Sequence, residues 1–148
     1  MKIAILNHSF PPDIGGGESQ LYTIASKLHS FGHDIHVFTG NTDREMLFPF
    51  KITYLQGFKE FEKGQIGFKP ILQELKKATA DEHFDIIFCS NFSSLMLISY
   101  LRGLIKCDNI VFTFHCGIVP ELNKVIGYFN DWDTEKCFAS NTKSQFSS

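Results

Sequence analysis

Three consecutive glycines, Gly15–Gly17, lie between a proline pair and the start of an amphipathic helical pattern. Glycine costs roughly 0.5–1 kcal/mol relative to alanine inside regular structure, so a run of three indicates a turn, a close backbone approach or a ligand. The N-terminus of a helix offers free N–H groups and the positive end of a dipole, and both favour a phosphate or another anion. The chemistry that this segment could do is therefore anion binding by bare backbone, at Gly16 and Gly17.

The spacing of the glycines distinguishes this segment from two common phosphate-binding loops. The Walker pattern GxxxxGK[ST] is absent from the sequence. The dinucleotide fingerprint GxGxxG fits poorly, because Gln20 stands where its third glycine is required and no acidic residue ends the second predicted strand. We therefore expect no nicotinamide cofactor, and an oxidoreductase is the weakest functional hypothesis.

Other side chains with chemical potential lie at the ends of predicted elements. His8 follows the first predicted strand, Asn91 the fourth and His115 the fifth, while Glu18 lies in the first turn of a helix. Ligands of doubly wound sheets bind outside the carboxyl ends of the strands. Each residue also has a structural explanation, such as a histidine hydrogen-bonded within a loop or a glutamate that complements the helix dipole. Both interpretations stay open.

The bulk composition excludes several classes of protein. The net charge is −2 and the pI is about 6.3, so no nucleic-acid partner is expected. The other histidines and the cysteines show no metal-ligand spacing and no CxxC pair, which predicts free thiols and no metal; they are His29, His33, His36, His83, Cys89, Cys107, Cys116 and Cys137.

The apolar runs of the sequence also show no targeting signal. The first apolar run is too short for a signal peptide, and no run approaches the ~20 apolar residues of a membrane span. We expect a cytoplasmic protein with at most peripheral contact with the inner face of a membrane. That contact would use a basic segment, 56–80, whose interleaved phenylalanines are Phe58, Phe61 and Phe68, although a solvated helix face is the favoured explanation.

The elements that position these residues alternate between short apolar runs and helical patterns. This alternation predicts one Rossmann-like, doubly wound α/β domain over residues 1–148, with a mostly parallel sheet and helices on both faces. Helices are predicted before Gly32, from about Pro70, and from Asn91 or Phe92 to about Leu104, whereas 40–50 and 56–68 are predicted loops. The predicted strands are Lys2–Asn7, Asp34–Thr39, Lys51–Leu55, Asp85–Ser90, Asn109–Phe114 and Lys136–Ser140.

The first forty residues contain a distinctive series: Phe10, Pro11, Pro12, Gly16, Gly17, Glu18, Gly32, His33 and Val37. Three later segments accompany it, "FDIIFCSN", "IVFTFHCGIVPE" and "CFASNTKSQF". Together they resemble the N-terminal lobe of the GT-B glycosyltransferases of the family-4 type, and the first forty residues are the most specific part. The three later segments are similar to strand four of that family, to its strand five with the following histidine, and to the next strand and helix.

The resemblance implies a two-lobed enzyme that moves a sugar from a nucleotide-sugar donor to a glycan, lipid-linked or small-molecule acceptor, with retention and without a metal or other cofactor. Gly16 and Gly17 would then face the donor diphosphate, and His115 would be the catalytic histidine near the donor sugar. His8, Asn91 and Glu18 are the candidate acceptor-binding residues.

The resemblance also leaves parts of such an enzyme unaccounted for. Where the family often has histidines after strand four, this chain has Cys89 and Ser90, and no nucleotide-binding second lobe is present in the sequence. A helix begins at Asn141 or Thr142 and the sequence stops a turn later, so we expect a truncated domain that is inactive alone. The alternative is a stand-alone binding module or partner subunit whose exposed apolar cleft needs a second chain to close it.

Overall fold

The computed structural model describes residues 1–101 and 105–113. In chain order the elements are β1 (Lys2–Leu6), α1 (Gly16–Ser30), β2 (Asp34–Gly40), β3 (Lys51–Leu55), α2 (Phe58–Glu62), α3 (Phe68–Thr79), β4 (His83–Cys89), α4 (Phe92–Leu101) and β5 (Lys106–Phe112). The predicted sixth strand, Lys136–Ser140, and the helix after it lie outside the described residues.

The five strands form one parallel sheet in the order β3-β2-β1-β4-β5. The chain runs outward from β1 to β3 and then returns to place β4 on the other side of β1. Ile5 of β1 pairs with Val37 on one side and Phe88 on the other. This order has the reversal of a doubly wound fold, with its ligand crevice expected beside β1. The predicted fold class is confirmed.

Alternate residues of the strands fill two cores, as in a sheet covered on both faces. In β1, Ile3 and Ile5 face a core that contains Leu21 and Ala25 of α1. On the other side, Leu6 joins a core that α2, α3 and α4 complete. Helices therefore lie on both faces, as predicted.

As the sequence predicts, helix α1 ends just before Gly32. The Gly32 N–H donates to the carbonyl of His29, and the His33 N–H donates to that of Leu28. Gly32 has φ +87°, so this is a Schellman motif with glycine in its left-handed position. The motif turns the chain directly into β2.

The loop predicted for residues 56–68 is wrong in part, because it contains α2. This helix has five residues, too few for a helical period to show in the sequence. It buries Phe58 and Phe61, which are 0% and 4% exposed. Two of the three phenylalanines in the basic segment therefore belong to the core and do not face a lipid surface.

The buried helix α4 begins at Phe92, as predicted, and its predicted end near Leu104 lies outside the described residues. Within the part of the chain that the structure describes, no helix is both long and apolar enough to cross a membrane.

Candidate active site

The carboxyl edge of β1 and β2 depends on a close approach at Gly40. The Gly40 N–H donates to the carbonyl of His8 across 3.1 Å. A Cβ at this position would lie 2.6 Å from that oxygen and 2.7 Å from Cγ of Lys59. Only glycine fits, so Gly40 fixes the loop after β1 against α2. The one signal for this role in the sequence is the position of Gly40 at the end of a predicted strand.

The two candidate anion-binding glycines occupy the first positions of α1. Gly16 and Gly17 are exposed, and a Cβ at either would meet nothing within 4 Å. Neither is among the positive-φ glycines of the described chain. Alanine would favour a helix by about 1 kcal/mol relative to glycine, so the fold itself gives no reason for glycine here. The bare backbone of this turn is open to a ligand.

Glu18 lies close to the same turn. Its carboxylate folds back over the α-carbon of Gly15, where a Cβ would collide with it. Gly15 is the N-cap residue, so Glu18 is at the third helical position, where a capping-box glutamate lies. A carboxylate here complements the helix dipole. This placement accounts for Glu18 structurally, and its acceptor-binding role stays a prediction.

His8 and Asn91 meet at the carboxyl ends of β1 and β4, although they are 83 residues apart in sequence. The Asn91 Oδ1 accepts the backbone N–H of Ser94 at 2.9 Å, which caps α4 and fixes the amide orientation. The Asn91 Nδ2 therefore donates to the His8 Nδ1, which also lies 4.0 Å from a Glu62 carboxylate oxygen. The structure brings these two candidates together, while His115 lies outside the described residues.

Asp13, which no sequence pattern indicated, has several polar partners at this edge. Its Oδ2 lies 2.6 Å from the Lys59 ammonium and accepts the Ser9 hydroxyl at 3.0 Å. The Thr42 hydroxyl donates to its other oxygen at 3.4 Å. Partial burial alone would raise the pKa of Asp13, but the hydrogen bonds from Lys59 and Ser9 and the Lys59 charge outweigh it, so the pKa is lowered. Asp13 is thus held ionised in a fixed position.

An open pocket of about 420 Å³ lies next to this carboxylate. Its size is within the range of small-molecule sites. The loops after β1 and β2 and the start of α2 form its walls, with charges of both signs, amides and hydroxyls. The polar side chains that line it include Asp13, Asn41, Thr42, Arg44, Lys59 and Glu60. Such a lining can both donate and accept hydrogen bonds to a ligand rich in hydroxyl groups.

An aromatic cluster holds one wall of this pocket in place. Phe10, from the loop after β1, lies 5.6 Å from Phe48 and 6.3 Å from Phe50, measured between ring centroids. Tyr22 of α1 lies 6.1 Å from Phe48. The far end of the loop after β2 is therefore packed against both α1 and the loop after β1.

The fold indicates a class of protein. In structure the chain is similar to sucrose-phosphate synthase from Thermosynechococcus elongatus, with a TM-score of 0.56 and 18% sequence identity, over 85% of this chain and 71% of that chain. At this identity the likeness shows the fold alone, which is that of a GT-B glycosyltransferase lobe.

The sequence supplies the family. The model of Glycosyltransferase Family 4 matches residues 14–139, and the chain belongs to this family. The matched range includes Gly16, Gly17, Glu18, Asn91 and His115, but begins after His8. A search of curated proteins found no match.

Proposed function

We propose that this domain is the acceptor-side lobe of a retaining glycosyltransferase, which moves a sugar from a nucleotide-sugar donor to a glycan, lipid-linked or small-molecule acceptor. One observation carries the proposal. Gly16 and Gly17 form an exposed helix turn where the fold does not require glycine, in a chain that belongs to a glycosyltransferase family.

The proposed chemistry uses the backbone of that turn. As the bond between sugar and diphosphate breaks, negative charge develops on the departing diphosphate. N–H groups at the start of α1 are already oriented, so they stabilise this charge without reorganisation. We propose His115, after β5, as the catalytic histidine close to the donor sugar. The nucleotide sugar binds as a substrate, and we expect no metal to take part in the transfer.

The acceptor would bind in the pocket beside Asp13. The fixed carboxylate of Asp13 and the neighbouring amide and hydroxyl groups suit a polyhydroxylated molecule. The His8–Asn91 pair lies at the ends of neighbouring strands and would contact the same substrate. Glu18 is a weaker candidate because it is folded against Gly15.

The donor nucleotide would need a second lobe, either from the same polypeptide or from a partner chain. Ile14, beside the glycines, is 90% exposed, and Leu47 in the loop after β2 is 98% exposed. A second lobe or a partner chain that packs on this side would bury such side chains. The intact mass of the protein from its own source separates the two: a mass well above 16.9 kDa indicates one longer polypeptide, and 16.9 kDa directs the search to a separate partner chain.

The test of the proposed function is a transfer assay on the protein isolated from its source, together with any chain that copurifies. Uridine-, guanosine- and adenosine-diphosphate sugars are each supplied with a panel of sugar, polyol and lipid-linked acceptors. We expect one donor to give a glycosylated product, whose anomeric configuration by NMR equals that of the donor. An inverted product would refute the retaining mechanism. Absence of transfer and of donor hydrolysis with every donor would refute the glycosyltransferase proposal.

A further inference from the structure

At the opposite edge of the sheet from the candidate active site, three potential metal ligands converge. They are His83 and Asp85 of β4 and Asp108 of β5, and one ligand atom from each lies within 4.8 Å of the others. The His83 Nε2 is 3.0 Å from an Asp108 carboxylate oxygen. We propose that these residues form a binding site for a divalent transition-metal ion such as Zn²⁺. The sequence gives no sign of this cluster, because a histidine and two aspartates divided between two strands have no metal-motif spacing.

The geometry of β4 and β5 brings the ligands together. His83 and Asp85 are two residues apart in β4, so the pleat places them on the same face of the sheet. The register of β4 with β5 has the same offset on either side of Asp85 and Asp108, so these two residues stand at the same level on neighbouring strands. Asp108 is therefore beside Asp85 and diagonal to His83, within reach of both.

The electrostatics of the cluster favour a cation. Like charges on adjacent strands are destabilising when they stand side by side, and Asp85 and Asp108 are both carboxylates. The backbone N–H of Lys2 donates to an Asp85 oxygen at 2.6 Å. A partner of this kind orients a metal ligand from outside the coordination shell. The pair of His83 and Asp108 is about half exposed, so by itself it contributes little to stability.

The mixed ligand set selects the kind of metal. Mg²⁺ and Ca²⁺ take oxygen ligands, whereas imidazole suits zinc and its neighbours in the transition series. One histidine nitrogen and two carboxylate oxygens would leave further positions for water, because the cluster is open to solvent. The bound ion would tie β5, the last strand in the described sheet order, to β4. This inference does not depend on the proposed glycosyltransferase activity.

A nearby positive charge offers a second test of the metal site. Lys106 is the register partner of His83, so its positively charged side chain extends from the neighbouring strand at the level of His83. A cation there would be repelled. Removing the charge in Lys106→Gln should therefore tighten zinc binding, which no purely structural role of the cluster would predict.

The experiment is a calorimetric titration of Zn²⁺ into the complete chain after treatment with a chelator, repeated with Mg²⁺. We expect saturable zinc binding and no binding of Mg²⁺ at the same concentrations. His83→Gln and Asp108→Asn should each weaken this zinc binding at least tenfold, and Lys106→Gln should strengthen it. The matched controls are His33→Gln and Asp34→Asn, at the beginning of β2 on the same edge of the sheet.

Other outcomes would overturn the site. The chain also carries His115, Cys116 and Cys137, so zinc could bind elsewhere, and binding that persists unchanged in His83→Gln and Asp108→Asn would show that it does. Loss of binding in His33→Gln would place the ion at the amino terminus, near the contact between the Met1 amine and His33. No zinc binding at all would also refute the proposal. Circular dichroism of every variant verifies that the exposed substitutions leave the fold intact.

Discussion

At the scale of single residues, Gly17 is a position where the fold does not require glycine but the proposed ligand does. A Cβ at Gly17 meets no atom of the described chain, and valine has a better helix propensity than glycine. In the proposed function, the added isopropyl group would block the diphosphate from the backbone N–H groups. We expect Gly17→Val to lower kcat about 10²-fold or more, a loss typical of a removed oxyanion contact. Turnover with the cognate nucleotide sugar and the melting temperature are the two measurements.

The control for this substitution is Gln20→Val, an exposed position in the next turn of α1. It introduces the same β-branched side chain without approaching the helix terminus, so turnover should stay near that of the unmodified protein. Equal turnover in Gly17→Val and Gln20→Val would show that the glycines only form a turn.

Gly40 carries the opposite prediction. A side chain there collides with the His8 carbonyl and with the Lys59 side chain, so backbone as well as side chain must move. We expect Gly40→Ala to lower the free energy of unfolding by about 1–3 kcal/mol, the usual cost of overpacking. Urea unfolding measures this difference. The control Gly16→Ala has open space and a helical backbone, so a comparable loss there would contradict the steric explanation.

At the scale of elements, the end of α1 depends on a left-handed residue. Gly32 has φ +87° and forms the turn that leads into β2. An L side chain in this conformation costs roughly 1–2 kcal/mol. Gly32→Ala should lower the free energy of unfolding by about that amount, although a Cβ there would touch nothing. Thermal melts of Gly32→Ala and Gly32→Asn test the cause, because asparagine tolerates this conformation better. A loss for asparagine as large as that for alanine would contradict it.

The elements also show how far the sequence predicts the structure. The strands β1, β2 and β3 lie within one residue of their predicted bounds, whereas β4 and β5 begin at His83 and Lys106, before their predicted first residues Asp85 and Asn109. The predicted starts follow the apolar runs, and the polar residues that precede those runs also pair in the sheet. Helix α2 was missed because one turn of helix has no period. Its formation depends on burying Phe58 and Phe61 in a core that the rest of the chain builds.

The candidate site, like the fold, has one part that the sequence predicts and another that it does not. Parallel strands bring their carboxyl ends to one edge, which explains why His8 and Asn91, both candidates from the sequence, meet there. The ion pair of Asp13 with Lys59 connects a loop to a helix that the pattern did not reveal, and no local spacing encodes it. Contacts between distant segments are determined by packing, which a single sequence does not display.

At the scale of the whole molecule, one carboxylate joins four segments at the amino edge of the sheet. Glu82, just before β4, pairs with Lys2 of β1 at 2.9 Å and Lys51 of β3 at 2.8 Å. It also contacts Nδ1 of the buried His36 of β2, whose Nε2 contacts the Thr53 hydroxyl. A neutral imidazole protonated on Nδ1 donates to Glu82 and accepts from Thr53, so each nitrogen has a suitable partner.

This cluster makes stability depend on pH. Burial alone raises the pKa of Glu82, but hydrogen bonds from Lys51, Lys2 and His36 lower it to about 2. Burial lowers the pKa of His36 and outweighs the opposing effect of Glu82. Both groups bind protons more readily when unfolded, so stability must rise with pH where they titrate. The Glu82 contribution is complete above its ordinary pKa of 4.5 and is lost as the pH falls towards 2.

We therefore expect the urea midpoint to fall from pH 7 to pH 5 as His36 becomes charged on unfolding, and further between pH 5 and pH 2. Glu82→Gln should flatten the second, more acidic part of this profile. The exposed Glu45 supplies the control, and Glu45→Gln should leave the profile unchanged. Parallel profiles for the unmodified chain and Glu82→Gln would mean that Glu82 has no such linkage.

The aromatic cluster has a consequence for how such a domain can diverge. Phe48 and Phe50 fasten the end of the loop after β2 to Phe10 and Tyr22, while Gly40 fixes its beginning. The intervening residues 41–47 form part of the pocket wall but contribute little to either core. Substitutions or changes of length in residues 41–47 would therefore not disturb the packing of the sheet. A lineage could thus exchange one substrate preference for another by altering seven residues, with the framework inherited intact.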